Sequence, residues 1–279
     1  MTSSTSVVSK AKVVVKFGGS SIGGMDQIDV FAAEIAELVR RGVTPVILHG
    51  GGPEITEEMK RCGLPVKKVA GLRITDDTTL LIAKSVLSRI NDRVVVSLRK
   101  AGLKAIGLAG SEGNTLLARK MPPVPVDGGP ETVDLGFVGE VEGVDPTMID
   151  TLCSLGFVPV VYSICGDAEG RLMNVNADTA AAALAAGIKA TDMVLVTEVP
   201  GVLRVFEDMS STIPEIREAD LGPLTSSGIL KDGMIPKVEA CFLALRGGVG
   251  TAHIICGTTP DAIVEQLFSG RNLGTRLTL

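Results

Sequence analysis

Apolar and polar positions along the chain follow two periods that take turns. Residues 13–17 are apolar except for Lys16, and the first three are β-branched valines; Gly18-Gly19 ends the run, and Ile28, Phe31, Ile35, Leu38 and Val39 then recur at helical spacing. The pattern predicts strand, glycine turn, helix. It returns at once: a strand over 44–48, the turn His49-Gly50-Gly51-Gly52, and Pro53 in the first turn of a helix reaching about residue 62. Two successive βα units imply a parallel sheet with right-handed crossovers. Thr75 or Asp76 can cap a long helix that runs to about 101, and a short strand over 105–108 follows. From 113 to 142, Pro122, Pro123, Pro125, Gly128, Gly129 and Pro130 interrupt short extended runs such as 133–138, which predicts hairpins over one end of the sheet. Helices are then expected at 146–155, 178–186, 234–246 and 261–268, and strands at 158–163, 193–197 and 251–256. The expected class is α/β. No repeat of about 20 to 50 residues is visible, and the internal division is expected near 163–174.

Composition narrows this picture. Of 279 residues 45% are hydrophobic but only 3% aromatic, with Tyr162 the sole tyrosine, so the core must be built from Val, Ile, Leu and Ala. A formal net charge of -5 argues against nucleic acid or an anionic membrane as partner and for a small molecule. Five scattered cysteines without a CxxC spacing suggest neither a disulfide framework nor a zinc site. Residues 1–12 have no apolar signal core, and no run approaches the roughly 20 apolar residues of a membrane span, so a cytoplasmic protein is expected. Two histidines, His49 and His253, leave little room for imidazole chemistry.

Candidate chemistry gathers where strands end. Two glycine turns at the carboxyl ends of neighbouring strands would sit in the crevice where open α/β sheets bind ligands, with backbone amides and helix N-termini able to face an anion. Lys16 stands in an apolar strand immediately before such a turn, where it can grip a phosphate or merely snorkel from an edge. Asn174, Asn176 and Asp178 alternate before an Ala-rich helix; Asp178 can cap that helix or orient lysines. Arg73, between Leu72 and Ile74, offers a guanidinium fork for a carboxylate or an ordinary surface ion pair. Lys237 follows Gly233-Met234-Ile235-Pro236 in the first turn of a helix, where a cation opposes the helix dipole unless an anion lies nearby.

Taken together, Lys16-Phe17-Gly18-Gly19, His49-Gly50-Gly51-Gly52-Pro53, Gly63-Leu64-Pro65-Val66-Lys67-Lys68, Gly71-Leu72-Arg73-Ile74-Thr75, the segment from Leu172 to Asp178, and Gly233-Met234-Ile235-Pro236-Lys237 resemble the amino acid kinase family. The motifs occur in family order from residue 13 nearly to Arg276. The resemblance implies a three-layer αβα sandwich around a mainly parallel eight-stranded sheet. It implies transfer of the ATP γ-phosphoryl group, with Mg accompanying ATP, to the side-chain carboxylate of N-acetyl-L-glutamate in arginine biosynthesis. Lys16 and Lys237 are then expected to stabilise the moving phosphoryl group and Asp178 to orient them. Gly51, Gly52, Arg73 and Asn174 are expected to hold the acetylated amino acid. Gly18, Gly19 and Gly50 are expected to meet phosphate, while Glu198, Gly201, Leu203, Ile229 and Lys231 border the nucleotide; no protein-held metal is expected. The implied halves are about 13–165 for the amino acid and about 166–279 for ATP, in a homodimer or higher homo-oligomer. Leu80, Leu81, Val86 and Leu87 could supply that interface.

The chain departs from the family pattern at Ser20-Ser21-Ile22-Gly23, at Glu198 where Asp is usual, and at the Ser-rich start and Pro260-Asp261-Ala262, which predict weak or absent inhibition by arginine. Rival readings are a related kinase acting on an aminoadipate derivative or glutamate, a non-catalytic amino-acid sensor, and a serine esterase built on Gly19-Ser20-Ser21-Ile22-Gly23. Chain order opposes the esterase, because an oxyanion segment of the His-Gly-Gly-Gly type precedes the nucleophile there and follows it here.

Overall fold

The computed structural model describes residues 11–18, 25–126 and 129–279, apart from the side chains of Met25 and Asp232. Eight strands form the central sheet: β1 (Lys12–Phe17), β2 (Thr44–His49), β3 (Lys104–Ala109), β4 (Phe157–Tyr162), β5 (Asp192–Thr197), β6 (Glu215–Arg217), β7 (Thr251–Cys256) and β8 (Thr275–Thr278). Their order is β6-β8-β7-β5-β1-β2-β4-β3. Every ladder is parallel except that between β7 and β8. The sheet is therefore the mainly parallel, eight-stranded one expected. β1 lies between β2 and β5, so the chain leaves it first on one side and later on the other, which opens a crevice at the carboxyl ends of these strands.

The helices are α1 (Met25–Arg40), α2 (Gly52–Arg61), α3 (Asp77–Lys100), α4 (Thr147–Ser154), α5 (Ala177–Gly187), α6 (Leu221–Ser226), α7 (Ile235–Arg246) and α8 (Ala262–Phe268). Two apolar clusters, one on each face of the sheet, make the sandwich. On one face Val13, Val15 and Phe17 of β1 pack with α1, α2, α3 and α8. On the other, Val14 packs with α4, α5 and α7. Asp76 caps α3 by accepting from the Thr79 amide at 2.8 Å, as one of the two expected caps. Val86 and Leu87 are buried in the first cluster and so cannot serve an interface, whereas Leu81 is 69% exposed.

The segment from 113 to 142 is more regular than its sequence predicts. Leu116–Lys120 pairs antiparallel with Val138–Val144, and with Ile164–Gly166 and Leu172–Val175 these strands close into a small barrel. Gly139 and Gly143 break the apolar pattern, yet Gly139 is there for packing: a Cβ on it would lie 2.8 Å from Met173 Cβ. The Pro- and Gly-rich stretch itself supplies only a two-residue ladder, Val124–Pro125 with Thr132–Val133. β6 and β8 were not anticipated, being short and half polar. Among the described residues no helix is long and apolar enough to cross a membrane.

Candidate active site

Alternation along β1 decides where Lys16 points. Val14 faces α5 and α7 while Val13, Val15 and Phe17 face away, so Lys16, two residues after Val14, projects on the α5–α7 side. α5 and α7 both begin at the carboxyl end of the sheet. Asn176 caps α5, its side chain accepting from the amides of Asp178 and Thr179. The capping reading of Asp178 is thereby replaced: relieved of that task, its carboxylate lies 2.8 Å from Lys16 Nζ and accepts from Lys237 Nζ at 2.7 Å. The two lysines, far apart in sequence, meet on one buried acid. Burial pushes the Asp178 carboxyl up, but the two ammonium groups beside it outweigh that and hold it at about 2. Asp178 is also the anion that offsets the dipole cost of Lys237 at the start of α7, so this cost alone no longer argues for a bound phosphate.

Glycines bring the backbone up to this charge cluster. A Cβ on Gly18 would lie 3.2 Å from the Gly50 nitrogen and 3.3 Å from Lys16 Nζ, so the missing side chain leaves a space bounded by an amide and an ammonium. Such a space suits an anion. Gly19 and the Ser20-Ser21-Ile22-Gly23 departure lie outside the described residues.

Two cavities flank the cluster. The smaller, about 150 Å³, is lined by Gly50, Gly51, Gly52, Arg73, Asn174 and Lys68. Arg73 is 8% exposed and its guanidinium donates to the Gly52 carbonyl at 3.0 Å and to Thr56 Oγ1 at 2.7 Å. Among the described residues it has no carboxylate partner, so the surface-ion-pair reading does not hold. A buried guanidinium without a counter-charge favours an anionic ligand. Asn174 Nδ2 donates to Thr75 Oγ1, which in turn donates to the Arg73 carbonyl, tying both residues into one wall. Residues on both sides of the 163–174 boundary line this cavity.

The larger cavity, about 550 Å³, is lined by Glu198, Gly201, Leu203, Ile229 and Lys231, with Lys237 at its inner end. It has room for a nucleotide where the smaller one does not. A Cβ on Gly201 would meet Thr275 Oγ1 at 2.4 Å, so this glycine is explained by the close passage of β8. Sequence reasoning missed Arg204 and Phe206 in this cavity and Ser163 and Lys68 in the smaller one. Only Lys68 carried a signal, lying in a quoted motif without an assigned role. His253 is bound by Asp192 and Gln266 near the opposite end of the sheet, and His49, fully buried at the second glycine turn, is engaged by the Gly50 carbonyl and Asn91, so neither histidine is placed as the base of the esterase reading.

The fold and this site define a class. A model of the amino acid kinase family matches residues 11–256, and the chain belongs to the amino acid kinase family. Its curated relatives are more specific: it is 43% identical over 266 residues to the acetylglutamate kinase of Methanothrix thermoacetophila, covering 95% of this chain and 91% of that one. It is 40% identical to the acetylglutamate kinase of Archaeoglobus fulgidus, covering 94% and 91%. Among solved structures, N-acetylglutamate synthase from Neisseria gonorrhoeae, complexed with coenzyme A and N-acetyl-glutamate, superposes with a TM-score of 0.82 at 21% identity. That match covers 96% of this chain and 59% of the synthase. Carbamate kinase from Giardia lamblia bound to AMP-PNP superposes at 0.70 with 15% identity, covering 97% and 99%. At these identities the structural matches speak to fold alone.

Proposed function

We propose that this chain transfers the γ-phosphoryl group of ATP to the side-chain carboxylate of N-acetyl-L-glutamate, giving N-acetylglutamyl 5-phosphate and ADP, a step of arginine biosynthesis. The observation that carries the reading is the Lys16–Asp178–Lys237 cluster standing between a small cavity, whose guanidinium has no carboxylate partner among the described residues, and a larger one of nucleotide size. Identity of 40–43% to acetylglutamate kinases over 94–95% of the chain supports this acceptor over an aminoadipate derivative or glutamate, and over a sensor.

The acceptor is a carboxylate with an ordinary pKa of about 4.3, ionised at neutral pH, so no general base is needed. Catalysis then consists of alignment and of neutralising charge on the moving phosphoryl oxygens. Lys16 and Lys237 supply positive charge from opposite sides of Asp178, which holds their ammonium groups in place. The amides at Gly18 and Gly50 meet the phosphates. Arg73 takes a carboxylate of the acetylated amino acid, with Gly51, Gly52 and Asn174 around the rest of it. Glu198, Gly201, Leu203, Ile229 and Lys231 border the nucleotide. Among the described residues no three His, Cys, Asp or Glu side chains converge as metal donors, and Asp178 is already committed to two lysines. Mg accompanying ATP would neutralise charge on its phosphates. We further propose a cytoplasmic homo-oligomer.

The test is an ATP-consumption assay with N-acetyl-L-glutamate, glutamate, aspartate and carbamate in parallel, with the acyl phosphate trapped as its hydroxamate. Turnover confined to N-acetyl-L-glutamate is expected. Faster turnover of any other acceptor overturns the assignment.

A further inference from the structure

One buried polar chain takes no part in the chemistry described so far. On β2, Val46 and Leu48 face α5 and α7, so His49 faces α3, and it is fully buried there. Asn91 of α3, 3% exposed, places Nδ2 2.9 Å from the Val160 carbonyl of β4 and 3.0 Å from His49 Nε2. His49 Nδ1 lies 3.0 Å from the Gly50 carbonyl.

These contacts permit one arrangement of protons. The Val160 carbonyl can only accept, so the Asn91 amide must turn its NH2 towards it. The same NH2 then donates to Nε2, which must be the bare nitrogen. Nδ1 therefore carries the proton and gives it to the Gly50 carbonyl. Burial pushes the imidazole down to about 4, so the ring stays neutral around pH 7. In the trans peptide between Gly50 and Gly51 the C=O and N–H point in opposite directions. With the carbonyl held by His49 on the α3 side, the Gly51 N–H points the other way, towards the face of the sheet on which Lys16 projects, and no backbone acceptor among the described residues takes it. Space is reserved for this relay: a Cβ on Gly107 would fall 1.8 Å from Asn91 Oδ1.

We infer that His49 and Asn91 are positioning residues that lock the Gly50–Gly51 peptide so that the Gly51 amide faces the reacting groups. The inference rests on the functional reading above for what the amide meets, but not for the proton arrangement. That arrangement is read directly from a long-range proton–nitrogen correlation spectrum of the 15N-labelled full chain, which holds only two histidines. His49 protonated on Nδ1 at pH 7 is expected; the Nε2-protonated form overturns the proposal, whatever the activity.

Kinetics tests the consequence. An asparagine amide reaches the place of Nδ1 and a glutamine amide that of Nε2. His49→Asn should keep kcat within about threefold, while His49→Gln should lose about 100-fold in kcat with KM for ATP little changed. Asn91→Leu, which keeps volume but donates nothing, should lose a similar factor and show mixed tautomers at His49. Equal kcat in the two His49 variants, at matched thermal stability, or an Asn91→Leu enzyme within threefold of wild type, overturns the proposal. A wild-type chain inert towards N-acetyl-L-glutamate refutes the functional reading instead, and leaves the spectrum to decide the proton arrangement.

Discussion

Lys16 and Lys237 hold the same carboxylate but differ in surroundings: Lys16 is almost enclosed, while the Lys237 side chain remains 26% exposed at the nucleotide-sized cavity. Replacing either by Ala should cost about 100- to 1000-fold in kcat, the scale set by loss of a group that stabilises transition-state charge. A steady-state loss below tenfold for Lys237→Ala would remove its role. Arg73→Lys keeps the charge but not the fork that reaches Gly52 and Thr56 together, so KM for the amino acid should rise about tenfold with KM for ATP unchanged. At this scale the sequence was informative where a residue was out of place. A lysine in an apolar strand and an arginine between Leu72 and Ile74 could be picked out because their neighbours predict burial. His49 could not, since a single buried histidine carries no pattern, and its partner Asn91 comes from a helix 42 positions away.

Among elements, α8 has an unusual attachment. Glu34 of α1, 6% exposed, accepts from the Ile263 amide at 2.8 Å in the first turn of α8, so a carboxylate of one helix serves the start of another. Burial pushes Glu34 up to about 7, with nearby Asp261 adding to the shift and the Ile263 and Val264 amides opposing it. Below pH 4.5 the group is protonated whether the chain is folded or not. As pH rises from about 4.5 to about 7 the unfolded carboxyl ionises first, so folding stability falls, by about 3 kcal/mol in all. Glu34→Gln, which can still accept from Ile263, should therefore raise stability by about 2–3 kcal/mol at pH 8 and leave it unchanged at pH 4.5, as read by urea denaturation. His49 has the opposite slope: lowered from 6.5 to about 4, it favours folding increasingly as pH rises through that window. The two nearly cancel in the wild type, and the Gln variant should expose the rising slope of His49. Helix and strand boundaries were legible to within a residue or two wherever apolar periodicity was unbroken, as at β7 and α7. They were illegible where glycines were selected by contact with another segment, as at Gly139 against Met173, because nothing local records the neighbour.

For the whole molecule, the parallel core was readable because βα units repeat and their crossovers have one hand. The far side of the sheet was not. β8 runs antiparallel to β7 and is the strand on which β6 rests, a topology without a local signature. Its first residue also shapes the larger cavity: Thr275 Oγ1 accepts from the Val202 amide at 2.8 Å across 73 positions and donates to the Ile213 carbonyl at 2.7 Å. Stopping the chain at Gly274 should raise KM for ATP at least tenfold, while the Lys16–Asp178–Lys237 cluster and the smaller cavity keep their parts. A truncated chain with unaltered KM for ATP would show that β8 is dispensable for that wall. The order of synthesis then matters. β8, which ties the wall of the larger cavity, is synthesised after both lysines and the acid, so the wall that should receive ATP is completed later than they are.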